Sequence, residues 1–452
     1  MPFVKFAQFV ILKIREMDDK KSRLLVTREG VSFVLPFIVV TCCFALWGFA
    51  NDITNPMVKA FSKIFRMSVT DGTLVQVAFY GGYFCMALPA AMFIRRHSFK
   101  SGIVTGLALY ALGVLLFIPA KAVGSFWPFL IAYFILTCGL SFLETTANPY
   151  ILLMGDRETA TRRLNFAQSF NPIGSLAGMF VAMQFIQARL SPLDTSQRAV
   201  LDDAQFEALK QSDLAVLIQP YALLSVVIIL LLVVLLSVRI PAVRQSTAKG
   251  KAPLWPAIKR LWANKSYRNG VVAQFFYVGA QITCWTFIIQ YGTRVFMSQG
   301  MSEQAAEVLS QRYNIVAMVL FCLMRFVNIY LMKYIKPGRL MAFFAALALL
   351  LLCGVIFIGG VVGMYCLVAV SACMSLMFPT IYGIALGGVQ EDAEIGSAGL
   401  IMAILGGSVL PALQALIIDS NVTVLPAVNL SFVVPAICFV VVMLYGLRYS
   451  RA

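Results

Sequence analysis

An all-α membrane protein of twelve transmembrane helices in two six-helix halves is the fold class this sequence predicts, and three observations carry it. Of 452 residues, 60% are hydrophobic and only 12% charged, with a mean hydropathy of +0.85, whereas a soluble domain carries roughly 25% charged residues. Apolar runs long enough to cross a bilayer, about 20 residues as a helix, recur from one end of the chain to the other. The runs lack the polar/apolar alternation of a transmembrane barrel, and lipid admits only helices or closed barrels as spanning structures. A soluble protein is excluded.

Breaking the runs at charged residues and at Gly or Pro predicts helices over 32–58, 72–94, 102–120, 127–152, 164–188, 217–238, 270–293, 314–333, 340–360, 362–387, 396–418 and 425–447. Ahead of them, residues 1–31 carry only the short apolar stretch Val4-Lys-Phe-Ala-Gln-Phe-Val-Ile-Leu12. That is too short for a cleaved signal and suits an amphipathic surface helix. An even number of spans puts both ends of the chain on one side, and the Lys/Arg bias selects the cytoplasm. With the N-terminus inside, cytoplasmic segments hold 26 of the 36 Lys and Arg and outer loops hold nine. The net charge of +16 therefore reports orientation, and no nucleic-acid partner is expected.

The longest basic loop, 239–269, follows the sixth helix and divides the chain into an N-terminal half over 32–238 and a C-terminal half over 270–447, with a cytoplasmic tail at 448–452. A faint internal echo supports two halves: Ser98-Phe-Lys-Ser-Gly102 closes the loop after the second helix, and Tyr334-Ile-Lys-Pro-Gly338 closes the loop after the eighth. All ten cysteines fall within apolar runs without metal-ligand spacing and read as small core hydrophobes.

An ionisable group kept at the bilayer centre costs about 2.5–3.5 kcal/mol or more, so it usually serves a function. Asp52 follows Asn51 near the far end of the first helix, where it is either a site residue or a wetted helix end. In the fourth helix Glu144 shares a face with Ser141 and Asn148. It could load and release a proton, or it could hydrogen-bond a neighbouring helix. Arg325 lies mid-run in the eighth helix and cannot shed its charge, so it requires an ion pair, a ligand hydroxyl or a wet cavity. Amides occupy other apolar runs: Asn51 and Asn55 in the first helix, Asn165, Gln168 and Asn171 in the fifth, Gln274 and Gln281 in the seventh. They should face the bundle interior. With Trp47, Tyr80, Tyr83, Tyr277, Trp285, Phe378 and Tyr382 they would suit a monosaccharide, which presents hydroxyls on its edge and C–H groups on its face.

Enzymatic readings find no support in these residues. His97 is the only histidine, so neither a His-based triad nor a His-rich metal site can be built. No phosphate-binding Gly-x4-Gly-Lys-Ser/Thr motif occurs. No cofactor and no obligate protein partner are expected, and the energy source must be a gradient or a partner.

Leu46-Trp-Gly-Phe-Ala-Asn51, Leu143-Glu-Thr-Thr-Ala-Asn-Pro149, Arg163-Leu-Asn-Phe-Ala-Gln-Ser-Phe-Asn171, Tyr277-Val-Gly-Ala-Gln-Ile-Thr-Cys-Trp285 and Phe378-Pro-Thr-Ile381 resemble the L-fucose/proton symporter family of the major facilitator superfamily, over about residues 33–448. The six-plus-six arrangement with a basic central loop is also that of major facilitators. The resemblance implies proton-coupled uptake of L-fucose or a related monosaccharide across the plasma (inner) membrane, with Glu144 and Asp52 handling protons. It implies cavity-lining amides at Gln168 and Asn171, and the reading of the residues adds Asn51, Asn55, Asn148, Gln281, Trp285, Arg325 and Phe378 at the sugar. Two positions depart from the family pattern. Its first-helix Asp falls on Asn55, three residues after Asp52, and its tenth-helix Tyr is Phe378 here. Relatives on the same branch carry glucose and galactose. A drug antiporter would share the architecture but prefer an apolar cavity, and a sugar sensor would bind without transport.

The topology can be tested with single cysteines in a cysteine-free background. Ser246→Cys should resist an impermeant maleimide applied to intact cells, and Ser212→Cys should react. Labelling of Ser246→Cys from outside would overturn the orientation.

Overall fold

The computed structural model describes residues 33–54, 57–67, 74–187, 189–191, 193, 197–198, 200–237, 254–389, 392–419 and 426–449. Among them there is no strand, and twelve helices are long and apolar enough to cross a membrane: α1 (Val34–Ile53), α2 (Val77–Arg96), α3 (Phe99–Val123), α4 (Phe126–Leu153), α5 (Arg157–Ile186), α6 (Asp203–Ser237), α7 (Lys265–Met297), α8 (Ala305–Leu331), α9 (Pro337–Ile358), α10 (Gly360–Gly387), α11 (Ala393–Ile418) and α12 (Ala427–Arg448). The number of spans agrees with the sequence reading. The expected N-terminal surface helix, Asn55, Ser246 and the first part of the basic loop, up to residue 253, lie outside the described residues.

Several boundaries shift for local reasons. The segment expected as an outer loop over 190–216 is already helical from Asp203. Good helix formers (Ala204, Gln205, Glu207, Ala208, Leu209, Lys210) carry α6 beyond its apolar stretch, and the Asp202 carboxylate caps it by accepting from the Gln205 N–H at 2.7 Å. The basic loop likewise contains a helix, Leu254–Ala263. Asn264 then caps α7 by accepting from the N–H groups of Ser266 and Tyr267, so α7 starts at Lys265 rather than 270. The two echoed loops both start a helix, the first through the Ser98 cap of α3 and the second through Pro337 in the first turn of α9.

Within the first six helices α3 and α2 pack on α4, and α5 packs on α1; within the last six, α9 packs on α12, and α7 on α8, α11 and α12. Helices α2 and α4 also meet α11, and α5 meets α8 and α10. The α1–α5 contact is unusually close. A Cβ at Gly174 would run into the Ala45 carbonyl, and one at Gly48 into the Asn171 carbonyl, so only glycine permits this approach. Helices α4 and α10 are the most enclosed of the twelve. The ten cysteines are all free thiols, and eight are buried or half-buried as expected. Cys42 and Cys85 instead lie exposed on the bundle surface.

Two ion-pair groups fasten the connections. Arg198 is fully buried and pairs with buried Asp213 of α6 at 2.7 Å; its guanidinium also donates to the carbonyls of Leu193 and Ser191. At the bundle end where α2 finishes and α11 begins, Arg260 makes a bidentate pair with Asp392 at 2.8 and 2.9 Å, and Arg95 approaches the same carboxylate at 3.9 Å.

Removing one member of a buried pair strands the other, at a cost of about 3–5 kcal/mol. Asp213→Asn should therefore lower the melting temperature of the detergent-solubilised protein clearly, and Arg198→Met with Asp213→Leu should recover most of the loss. An unchanged melting temperature in Asp213→Asn would refute a stabilising role for the pair.

Candidate functional site

Backbone breaks shape the centre of the bundle. Helix α5 consists of Ala160–Gln168 and Phe170–Val181, interrupted at Ser169, and α10 of Gly360–Met374 and Met377–Gly387. Pro172 lacks an N–H, so the carbonyl of Gln168, four residues earlier, loses its helical donor. Arg325 Nη1 of α8 donates to that carbonyl at 2.7 Å. The same arithmetic applies on α4, where Pro149 deprives the Thr145 carbonyl of its donor. Ser397 Oγ of α11 supplies it at 2.8 Å.

Around the Arg325 contact lies a cavity of about 100 Å³. Asn51, Asp52, Gln168, Asn171, Gln281, Trp285, Arg325 and Phe378 all line it, so eight positions singled out from sequence converge from α1, α5, α7, α8 and α10. Asp52 therefore faces the cavity and is more than a wetted helix end. Arg325 is 5% exposed and no described carboxylate pairs with it. The carbonyl and the Phe321 ring, 4.9 Å from the guanidinium carbon, hold it instead. Trp285 is oriented by its Nε1–H, which donates to Ser371 at 3.2 Å. Phe378 lies among the rings of Trp47, Tyr277 and Tyr382 at 6.5, 6.4 and 6.3 Å.

Glu144 and Asn148 are buried behind this wall and are absent from the cavity lining. Asn148 Oδ1 accepts from Gln168 Nε2 at 2.8 Å, and its own amide donates to the Glu144 carbonyl at 3.0 Å. Asn148 therefore positions Gln168. The carboxyl of Glu144 is 2% exposed and makes no hydrogen bond, while Tyr83 of α2 and Tyr382 of α10 sense it electrostatically. Of the remaining amides, Asn165 bridges to Thr380 of α10 at 3.3 Å, and Gln274 is buried in α7 with its side-chain amide unpartnered.

The sequence reading did not pick out Phe79, Ser175, Met318 and Phe321, which also line the cavity. It also passed over Ser397 and Thr380, and it treated Tyr382 as an apolar face although its hydroxyl bonds Ser397. The prolines at i+4 from Thr145 and Gln168 were the available signal. Arg163 is fully buried and spends its guanidinium on the Ile151 and Leu152 carbonyls at 2.8 Å each, stitching the start of α5 to the end of α4.

The sequence profile of the Major Facilitator Superfamily matches residues 40–413. The chain belongs to this superfamily. As a major facilitator it is 49% identical to the L-fucose-proton symporter of Haemophilus influenzae over 92% of its own length and 96% of that protein. It is 31% identical to a glucose/galactose transporter of Brucella abortus, over 91% and 93% of the two chains. Among solved structures it superposes on the major facilitator transporter FucP in the outward conformation with a TM-score of 0.83, at 29% identity, covering 92% of this chain and 99% of that one.

If Asn148 positions Gln168, Asn148→Leu should destabilise this major facilitator by about 1–3 kcal/mol, because a buried amide donor loses its acceptor. Asn148→Thr keeps an acceptor oxygen without adding a charge and should cost less. Equal melting temperatures for the two variants in detergent would refute the positioning role.

Proposed function

We propose that the chain is a secondary active transporter that imports a monosaccharide, L-fucose first among candidates, together with protons by alternating access. The observation that carries this reading is the central cavity, where an acid, four amides and a guanidinium alternate with aromatic faces. Hydroxyls of a sugar can accept from Arg325 and the amides and donate to Asp52, while Trp47, Trp285 and Phe378 cover its C–H faces. The name of the Haemophilus influenzae relative supports the same sugar.

The cytoplasmic orientation of both termini, location in the plasma (inner) membrane and the division into halves over 32–238 and 270–447, joined by the linker 239–269, belong to this reading. The positive-inside bias and the central basic loop support them. Asp52 takes the recognition role from the first helix, and Glu144, isolated from the cavity in a dry layer, is the proton carrier. A glucose or galactose substrate is the second reading, favoured by one observation, the 31% identity to the glucose/galactose transporter of Brucella abortus.

Symport requires that proton and sugar each bias the conformations the other prefers. Glu144→Gln keeps shape and hydrogen bonding but cannot ionise. In proteoliposomes it should retain sugar counterflow while losing accumulation driven by a proton gradient. Undiminished accumulation would remove Glu144 from the coupling role, and absence of counterflow by the parent across a monosaccharide panel would refute the transport reading.

A further inference from the structure

A second cavity of about 430 Å³ lies beyond the first, at the bundle end where α4, α5, α10 and α11 meet the start of α7. Four helices pass through both levels in register. On α5, Gln168 faces the first cavity, Asn165 lies between and Thr161 lines the second. On α10 the order is Phe378, then Thr380 and Tyr382, then Gly383; on α11 it is Ile404, Ser397 and Ala393. Helix α4 contributes Thr145 and Glu144 to the middle level and Pro149 to the second cavity.

The middle level is therefore a septum, and two of its three bonds, Asn165–Thr380 and Ser397–Thr145, join the first six helices to the last six, while Tyr382–Ser397 braces α10 on α11. Asn165 donates to Thr380, and Tyr382 donates to Ser397, which donates to the Thr145 carbonyl at 2.8 Å. Glu144 sits in this layer, buried and without a hydrogen bond. Among the described residues, the titratable groups facing it are Tyr83 from α2 and Tyr382 from α10, and no charged group from α1, α3, α5 or α11 acts on it.

We infer that the Tyr382–Ser397–Thr145 chain is the latch between the sugar cavity and a release vestibule, and that Glu144 discharges its proton through this latch into the vestibule. The inference rests on the transport reading for the cargo, but the latch itself is defined without it. With the latch closed Glu144 sees no water, which favours its neutral form. Opening hydrates it and favours the carboxylate, so by linkage an ionised Glu144 favours the open latch. Because Pro149 leaves the Thr145 carbonyl without a helical donor, the carbonyl depends on Ser397 while the latch is closed.

The test uses Ser175→Cys, in the sugar cavity on the far side of the latch, in a cysteine-free full-length protein reconstituted into vesicles, with an impermeant maleimide applied from the vestibule side and no sugar present. Ser397→Ala removes the latch donor. Pro149→Ala leaves every hydroxyl in place but gives the Thr145 carbonyl a helical donor. Each should speed labelling of the introduced cavity thiol by about two- to tenfold, the change that one net hydrogen bond makes. Labelling rates are corrected for thiolate fraction with an exposed reference cysteine. The corrected rate should rise with pH when Glu144 is present and be flat in Glu144→Gln. Unchanged labelling in both Ser397→Ala and Pro149→Ala overturns the latch, and a persistent pH dependence in Glu144→Gln overturns the discharge route. A parent that carries no monosaccharide would refute the cargo while leaving the labelling result standing.

Discussion

Two proline residues impose the constraint on which the centre of this protein depends. A helix in lipid must satisfy its own carbonyls, and Pro172 and Pro149 each leave one without its donor. Both orphans, on Gln168 and Thr145, are taken by side chains from the last six helices, the guanidinium of Arg325 and the hydroxyl of Ser397. The backbone defects of one set of helices are thus the docking points of the other. The arginine could not stand in an apolar bundle without such an acceptor, and the acceptor would not exist in an unbroken helix.

Much of this was legible in the sequence because membrane spans obey a one-dimensional rule. Twelve apolar runs gave twelve spans, and the expense of polar groups against lipid marked Asn51, Gln168, Asn171 and Gln281 as interior residues before any contact was known, while Asp52 stayed open between a site and a wetted helix end. Less was legible where tertiary partners decide. Nothing local distinguishes Ser397 from any other helical serine, and its role depends on a carbonyl 252 positions away. The start of α6 was misplaced because hydropathy measures fit to lipid, whereas the polar turns before Leu214 are held by capping and by the Arg198–Asp213 pair. Arg325 was open between ion pair and cavity since a sequence does not reveal a carbonyl as a counter-group.

The acidic residues divide by solvation rather than by type. Asp52 borders a cavity, where water or a ligand can meet its charge, while Glu144 lies in a dry layer without a donor. Burial of that kind permits the neutral acid and penalises the anion, so the two carboxyls suit different tasks. Asn148 links these environments, with one end on the Glu144 backbone and the other on the Gln168 amide that faces the cavity.

The glycine contact between α1 and α5 has a mechanical meaning. With Gly48 against the Asn171 carbonyl and Gly174 against that of Ala45, the two backbones have no side chains between them to repack, and packed interiors deform little. Trp47, Asn51 and Asp52 therefore keep a fixed spacing from Gln168 and Asn171 whatever the other helices do. One wall of the cavity is a jaw of constant gauge, cut in advance to the outline of its cargo. The wall carrying Gln281, Trp285 and Arg325 stands on α7 and α8 instead, so in the proposed transport cycle selectivity would be written in the rigid jaw and commitment in the opposite one.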